Sequence, residues 1–360
     1  MPRYKLTIAY DGTDFCGWQK QEPFADSHTP PKAARRLASG ERTLRGASDA
    51  AETAAHEAMI LEELGTREGE TRPRIALRTV QAVVERAVRE IVREPIVLQG
   101  SSRTDAGVHA HGQVAAFSCS PREAMSVSAE DTSASDEANQ VSADAASGEQ
   151  ASAGSRSGGW PVERGTERLL RALNSRLPDD VLVKAIEVAS NDFDPTNDTV
   201  AKAYSYTLHV GEMRPLRDRR FVHHVREQLD VEAMHAAAQH LVGEHDFVSF
   251  AALHHGRLTT VRTIFACSVR EVESVDTAGT SGTRRVRIDV SGSGFLYNMV
   301  RIISGTLVDV GRGRAKASDV PGMIAAKDRR AAGPTLPPTG LCLEWIRYGD
   351  KSNERASAGL

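Results

Sequence analysis

Length, composition and cysteine usage already limit what this chain can be. It has 360 residues, more than one average domain, so two domains or one long α+β unit both fit. No run of about 18 apolar residues is present, so no membrane-spanning helix is predicted, and the first residues enter a strand pattern without an apolar signal region. The four cysteines, at positions 16, 119, 267 and 342, are far apart and form no Cys-x-x-Cys pair. This spacing argues against a disulfide framework or a zinc site and fits a reducing cytoplasm.

The net charge of −3 is unevenly distributed along the sequence. Residues 121–158 contain seven acids against two bases, Arg122 and Arg156, so the rest of the chain carries a net charge of +2. Arginines and lysines cluster in residues 214–220, 284–287 and 312–330. A mildly basic globular part with local basic patches can follow the phosphates of a nucleic acid. For any single arginine, solvated surface charge is the simpler interpretation.

The first predicted element is a half-buried strand in which Tyr4, Leu6, Ile8 and Tyr10 alternate with polar or small residues. A long interruption follows at about residues 22–77. Its Ala- and Glu-rich part has helical propensity but no long apolar stripe. A tolerated surface insertion is the simplest interpretation of this segment, and a dedicated binding contact is the alternative.

Structure is predicted to resume with an amphipathic helix between Val80 and Ile91, capped by Thr79 and stopped by Pro95. Residues 95–98 are predicted as a strand, residues 100–102 as a loop, and residues 112–117 as a strand again. A second interruption, at about residues 118–159, is dominated by Ser, Ala, Gly and acids. Such a segment buries too little apolar surface to offset its ordering entropy, so it is predicted to be disordered.

The remaining elements alternate between strands and helices. A helix is predicted from Thr166, a strand over Val181 to Val188, and a passage to a second half over residues 192–199. A strand then carries Tyr204, Tyr206 and Leu208, and the later elements are a helix over residues 231–242, a strand over residues 286–290 and a buried helix over residues 300–310. Strands paired through hairpins, with helices on one face, predict an α+β architecture rather than a parallel βαβ sheet.

The most informative segment is residues 103–111, Arg-Thr-Asp-Ala-Gly-Val-His-Ala-His, which joins a carboxylate, a cation, a glycine and two imidazoles. An acid on a short loop between strands is a common way to present a catalytic group. A turn in which Asp105 only caps backbone amides is an equally good interpretation from chemistry alone.

This segment resembles the Arg-Thr-Asp-Ala-Gly-Val-His signature of the tRNA pseudouridine synthases of the A type. Further segments resemble the same family and occur in its order: residues 10–19, 173–174 with 177–181, 202–206, 243–250, 294–301, and 326–329 with 340–343. The similarity extends over nearly the whole chain outside the two interruptions.

The resemblance implies two similar α+β halves that form one extended mixed, largely antiparallel sheet with helices on one face and a central RNA-binding cleft. Residues 1–192 are then the N-terminal catalytic half with the Asp105 loop, interrupted at about residues 22–77 and 118–159. Residues 193–350 complete the cleft as the C-terminal half, and residues 351–360 are a tail.

The resemblance also implies roles for particular residues. Asp105 is the catalytic carboxylate, and Arg301 is the cation expected to pair with it. Arg103 is a second supporting cation, because on an extended backbone it would share a face with Asp105. Tyr204 corresponds to the tyrosine that stacks on the target base, and Leu341 to an apolar wall of the uracil pocket. Without the resemblance, these last two are a core aromatic and a buried leucine.

Three interpretations of function follow from these residues. The resemblance implies an isomerase that converts uridine to pseudouridine at positions 38, 39 and 40 of the tRNA anticodon stem-loop, acts as a cytoplasmic homodimer, and needs no cofactor or metal. A catalytically silent tRNA-binding or folding protein would be expected to lose Asp105, Tyr204 or Arg301, and all three are present. A glycosidase-like hydrolase would need a second acid in the loop. For His109 and His111, a structural role is favoured over acid–base or metal chemistry.

Overall fold

A computed structural model describes residues 1–21, 76–122, 158–252, 259–273 and 283–349. Most of both predicted insertions and the whole predicted tail lie outside the described residues. The helices are α1 (Val80–Val92), α2 (Gly165–Asn174), α3 (Val231–Gln239), α4 (Met299–Gly311) and α5 (Val320–Ala325). The strands are β1 (Arg3–Tyr10), β2 (Gln99–Gly100), β3 (His109–Ser118), β4 (Val181–Ala189), β5 (Thr199–Val210), β6 (His223–Val225), β7 (Gly243–Asp246), β8 (Val261–Val272), β9 (Arg284–Gly292) and β10 (Leu341–Tyr348).

Within the described ranges, the strands form one sheet in the order β4-β1-β3-β10-β5-β9-β8-β7, with β2 paired to β3 and β6 paired to β5. The β3–β10 and β5–β6 pairs are parallel, and the other pairs are antiparallel. The predicted α+β fold with a mixed, largely antiparallel sheet is therefore confirmed. Of the described helices, none is long and apolar enough to cross a membrane.

Strand β10 joins the two parts of the sheet that carry the site. It comes from the end of the described chain, yet it lies between β3 and β5. Cys342 pairs with His109 of β3, and Leu343 pairs with Tyr204 of β5. Because β10 pairs with both strands, the loop that precedes β3 lies next to the face of β5 that carries Tyr204.

The alternation predicted for β1 and the apolar stripe predicted for α1 are both confirmed. Tyr4, Leu6, Ile8 and Tyr10 of β1 are all buried, and the residues between them are partly exposed. Helix α1 begins after Thr79, whose side chain accepts a hydrogen bond from the backbone N–H of Ala82. The apolar stripe of α1 packs into the same core.

The strand predicted at residues 95–98 is wrong, because only Gln99 and Gly100 pair with β3. Side chains of α1 take up the backbone polar groups of this segment instead. Gln81 donates to the carbonyl of Leu98, Arg89 donates to that of Ile96, and the carboxylate of Glu85 accepts from the N–H of Leu98. A backbone whose groups are satisfied by a helix has no need of a strand partner.

Two other boundaries differ from those expected. Helix α3 ends at Gln239 rather than at Val242, because His240 and Leu241 form tighter turns to the carbonyls three residues before them. The chain also stays structured beyond β3. Cys119 is fully buried, and the N–H of Trp160 donates to the carbonyl of Ser120 at 3.2 Å. The described chain therefore reaches into the second predicted interruption from both sides.

Candidate active site

Asp105 lies on the loop between β2 and β3, and the N-terminal segment of the chain fixes that loop. The backbone N–H of Trp18 donates to the carbonyl of Thr104 at 3.1 Å, and the N–H of Gly107 donates to the carbonyl of Phe15 at 3.3 Å. Gly107 adopts a positive φ of 79°, which turns the chain back toward β3 at low steric cost. The position of Asp105 is thus set by backbone hydrogen bonds on both sides of it.

A close backbone approach makes this arrangement possible. Gly17 has a φ of 95°, and a Cβ atom at this position would lie 2.7 Å from the carbonyl oxygen of Thr104. The hydroxyl groups of Tyr10 and Thr104 are also hydrogen-bonded at 2.7 Å. The segment that contains Gly17 therefore has to carry glycine there to support the Asp105 loop.

Asp105 and Arg301 form an ion pair, with 3.5 Å between Oδ2 and the guanidinium Nη1. Helix α4 presents Arg301 from an apolar sequence, and the side chain of Arg301 is only 16% exposed. Its Nε donates to the carbonyl of Leu336 and its Nη1 to the side-chain oxygen of Asn298, each at 2.7 Å. These two bonds hold the guanidinium in place, so Arg301 is a fixed positive charge beside Asp105.

Burial raises the pKa of the Asp105 carboxyl above its usual range, and the charge of Arg301 opposes this rise only in part. Among the described residues, Arg301 is the single ion-pair partner of this carboxylate. With 30% of its side chain exposed, Asp105 is only partly desolvated, and the described residues use little of its hydrogen-bonding capacity. Such a carboxylate has lone pairs available to a substrate atom.

Tyr204 lies on β5, which β10 separates from β3, and is buried, with 8% of its surface exposed. Its hydroxyl lies 3.1 Å from the hydroxyl of Ser102, and its ring packs edge-on against Phe295 with 5.3 Å between the centroids. Burial raises the pKa of Tyr204, a hydrogen bond with Ser102 lowers it, and the nearby charge of Asp105 raises it. The resulting pKa is about 12. The phenol therefore stays neutral near the carboxylate.

Gln113 is a supporting residue that the sequence did not single out. It is fully buried in β3, where its amide oxygen accepts from the N–H of Ser102 at 3.2 Å and its amide nitrogen donates to the carbonyl of Ser102 at 2.6 Å. Because Ser102 also contacts Tyr204, one buried amide connects the Asp105 loop to β5. A glutamine directly before the apolar run of residues 114–117 is the sequence signal for this role.

The other residues expected at the site lie in different surroundings. Leu341, at the start of β10, is 6% exposed and pairs with Tyr206 across the sheet. Arg103 is exposed and forms no ion pair with Asp105. The structure therefore brings Arg301 and Tyr204 to the Asp105 loop, whereas Arg103 makes no ion pair with the carboxylate.

The two histidines after Asp105 have separate environments. His109 is buried, and its Nδ1 lies 3.1 Å from the N–H of Gly12 and 3.2 Å from a carboxylate oxygen of Asp11. His111 is exposed and lies 3.0 Å from the carboxylate of Glu344. With Cys342, His111 and Glu344 bring three possible metal-ligand atoms within 4.8 Å of one another. A cation there would compete with the guanidinium of Arg287, which lies 2.9 Å from Glu344, so we assign no metal to this group.

Comparisons with known proteins agree with this arrangement. The family model described as tRNA pseudouridine synthase matches residues 237–349. The chain is 37% identical to the tRNA pseudouridine synthase A of Geotalea uraniireducens (strain Rf4) over 275 residues, which are 75% of this chain and 90% of that protein. It is 32% identical to the tRNA pseudouridine synthase A 2 of Clostridium perfringens (strain 13 / Type A) over 348 residues, which are 97% of this chain and 100% of that protein.

The sheet, the carboxylate loop and these similarities together define an isomerase of the pseudouridine synthase class. Similarity over nearly the full length of the relatives makes the assignment more specific. The chain belongs to the tRNA pseudouridine synthase A family.

Proposed function

We propose that this enzyme converts uridine to pseudouridine at positions 38, 39 and 40 of the tRNA anticodon stem-loop, with Asp105 as the nucleophile. The observation that carries the proposal is the partly buried carboxylate of Asp105, which has Arg301 on one side and the neutral phenol of Tyr204 nearby. The relatives are named as tRNA pseudouridine synthases, which supports tRNA as the substrate.

The reaction is balanced without any exchange of electrons. The N1–C1′ glycosidic bond breaks, a C5–C1′ bond forms, and a proton leaves C5 while N1 gains one. Asp105 can add to an electrophilic carbon of the nucleotide and leave again after the uracil has turned. Arg301 keeps this carboxylate ionised, since a nearby guanidinium favours the charged form.

Tyr204 is proposed to stack on the target base, and Leu341 to form an apolar wall of the uracil pocket. The target nucleotide has to leave its stack to reach Asp105, at a cost of a few kcal/mol. An aromatic ring that receives the base offsets part of this cost, since stacking on a protein aromatic contributes about 1 to 3 kcal/mol. The exposed position of Arg103 favours a contact with the RNA over a contact with Asp105.

The family resemblance also leads us to propose that the enzyme acts as a homodimer in the cytoplasm, so that one tRNA can extend over both subunits. Light scattering on the purified protein tests the dimer. A mass equal to one chain of 38.9 kDa at working concentration would contradict it.

Pseudouridine-specific chemical mapping of total tRNA tests the proposed activity. Cells that lack this gene should lose the modification at positions 38, 39 and 40, and the wild-type gene should restore it. Asp105→Asn should fail to restore it, because an amide keeps the shape but is not a nucleophile. Asp179→Asn is the matched control, since Asp179 is an exposed acid outside the loop. Restoration by Asp105→Asn would remove Asp105 from its proposed role and would leave a tRNA-binding protein as the better interpretation.

A further inference from the structure

We propose that a pocket between α1 and α2 binds backbone phosphates of the tRNA, at a distance from Asp105; this inference rests on the proposed function, which supplies tRNA as the substrate. The pocket has a volume of about 450 Å³. Its lining includes four arginines and one carboxylate: Arg93, Arg164, Arg168, Arg176 and Glu90. None of these residues takes part in the chemistry at Asp105.

The positive charge of this pocket is mostly uncompensated. Arg176 forms an ion pair with Glu90 at 3.3 Å. Arg93, Arg164 and Arg168 are exposed, and within the described part of the chain their side chains form no hydrogen bond or ion pair. Like charges at close range disfavour the folded state, and an arriving polyanion removes that repulsion. The arrangement therefore favours an anionic partner with more than one charge.

The arginines come from two elements that are tied firmly together. The N–H of Gly159 donates to the carbonyl of Val92, the last residue of α1, at 2.6 Å. The buried Trp160 then donates from its indole nitrogen to the carbonyl of Gly165, the first residue of α2, at 3.3 Å. The end of α1 and the start of α2 are thereby fixed relative to each other. The backbone positions that carry these arginines are therefore set before the partner arrives.

Helix α1 connects this pocket to the active site. At its first turn, the N–H of Val80 donates to the carbonyl of Gly17, the residue that supports the Asp105 loop. At its other end, Arg93 follows Val92 in a left-handed conformation and lines the pocket. The 13 residues of α1 span about 20 Å at 1.5 Å per residue. This length is less than one turn of a nucleic-acid duplex, so a stem that enters the cleft can also reach the pocket.

Two anionic partners are close enough to compete for these arginines. One is the RNA backbone, and the other is the group of acids in residues 123–157. This segment connects Arg122 to Gly158 in the sequence. We assign the pocket to RNA. Phosphates offer the paired oxygens that a guanidinium fork binds in two-point contacts, and successive nucleotides place several such groups at a regular spacing.

The test combines three substitutions, Arg93→Gln, Arg164→Gln and Arg168→Gln, in the full-length protein. The matched control is Arg171→Gln, which changes an exposed arginine of α2 that does not line the pocket. Binding of a tRNA transcript is measured over a range of salt concentrations, together with the single-turnover rate at saturating enzyme. The triple variant should bind on the order of tenfold more weakly at low salt, and its salt slope should fall by about 2 to 3. Its saturated rate should equal that of the parent.

Three outcomes would overturn the inference. The triple variant could retain the affinity and salt slope of the parent, which would show that tRNA does not use the pocket. Arg171→Gln could cause a loss as large as that of the triple variant, which would show a general charge effect. Equal hydroxyl-radical protection of the tRNA backbone by the parent and the triple variant would also exclude a local contact. None of these outcomes touches the proposed function, which fails if the parent forms no pseudouridine or if Asp105→Asn still forms it. Thermal unfolding of each variant confirms that it folds.

Discussion

Asp105 and Glu344 lie on opposite faces of the central strands, and their carboxylates differ in how many partners they have. Tyr204 and Ser205 are neighbours on β5, so their side chains point to opposite faces. On the Tyr204 side lies Asp105, with Arg301 at 3.5 Å. On the Ser205 side lies Glu344, which accepts from Ser205 and pairs with Arg287 at 2.9 Å.

The pKa values of the two groups move in opposite directions. Burial raises the pKa of both, but at Glu344 hydrogen bonds from His111 and Ser205 and the charge of Arg287 outweigh it and lower the pKa to about 2. At Asp105 burial outweighs Arg301, so its pKa is raised. A carboxylate whose oxygens are occupied stabilises the sheet. A carboxylate that is partly buried and has few hydrogen-bond donors around it is available for chemistry at a cost in stability.

The largest effect on the rate is expected from Asp105→Asn in the purified enzyme, which tests the difference between Asp105 and Glu344. We expect the single-turnover rate to fall by a factor on the order of 1000 or more, and tRNA affinity to change by less than about twofold. Stability should stay the same or rise. Because the folded-state pKa of Asp105 is raised, its ionisation costs stability as pH increases through that pKa, and an amide has no such cost. A lower thermal midpoint at neutral pH would contradict this account of Asp105.

A smaller loss of rate is expected from Tyr204→Phe. The ring remains for stacking, but the contact with the Ser102 hydroxyl is lost, so the Asp105 loop is held less firmly. We expect the saturated rate to fall about tenfold. Tyr4→Phe is the matched control, since the ring of Tyr4 stacks on Phe117 at the end of β1 opposite to Tyr10, the residue that contacts the Asp105 loop. Equal losses of rate in the two variants would show that the effect is not specific to the loop.

Glu344→Gln tests the other carboxylate of the comparison. It should lower the free energy of unfolding at neutral pH by about 2 kcal/mol and leave the saturated rate within about twofold of the parent. The folded-state pKa of Glu344 is lowered from 4.5 to about 2, so its stabilising contribution is present above pH 4.5 and decreases as the pH falls toward 2. Urea unfolding at several pH values measures this. A difference in stability that does not shrink below pH 4.5 would show that packing, rather than charge, is responsible.

The smallest effect is expected from a deletion that leaves both carboxylates and their partners in place. Removing residues 123–157 and joining Arg122 to Gly158 through a short Gly-Ser linker should change stability by less than about 1 kcal/mol and preserve the saturated rate. The two ends are already adjacent, because Pro121 and Trp160 form a β-bridge and the N–H of Arg122 donates to the carbonyl of Trp160 at 3.2 Å. A wider deletion that also removes the buried Cys119 and Trp160 should be clearly destabilising. If both deletions destabilise the protein equally, the shorter one has removed packed structure.

The sequence predicted the elements whose signals are local. The alternation in β1 and the apolar stripe and cap of α1 depend on neighbouring residues, and both are confirmed. The buried helix expected over residues 300–310 is present as α4. The position of β10 between β3 and β5 has no local signal, because strand pairing over such sequence distances depends on the packing of the whole sheet.

The residues of the site also divide into those with a local sequence signal and those without one. The motif that contains Asp105 singled out the loop, and the family resemblance named Arg301 as the cation that pairs with it; the structure contains this ion pair. Two-residue spacing placed Arg103 beside Asp105 on the assumption of an extended backbone. In the structure Arg103 is exposed and forms no ion pair with Asp105, so this spacing does not bring the two charges together. The support that Gln113 gives through Ser102 depends on tertiary contacts alone.

The most direct test of the central claim is the single-turnover rate as a function of pH for the parent, Arg301→Met and Arg103→Met. If Arg301 keeps Asp105 ionised, its loss raises the pKa of the carboxyl further. The acidic limb of the profile should then move to higher pH in Arg301→Met, with a steep loss of rate at neutral pH and partial recovery as the pH rises. Arg103→Met should leave the limb where it is in the parent. An unmoved limb in Arg301→Met, or an equal shift in both variants, would contradict the claim that the ion pair of Asp105 and Arg301 performs the chemistry.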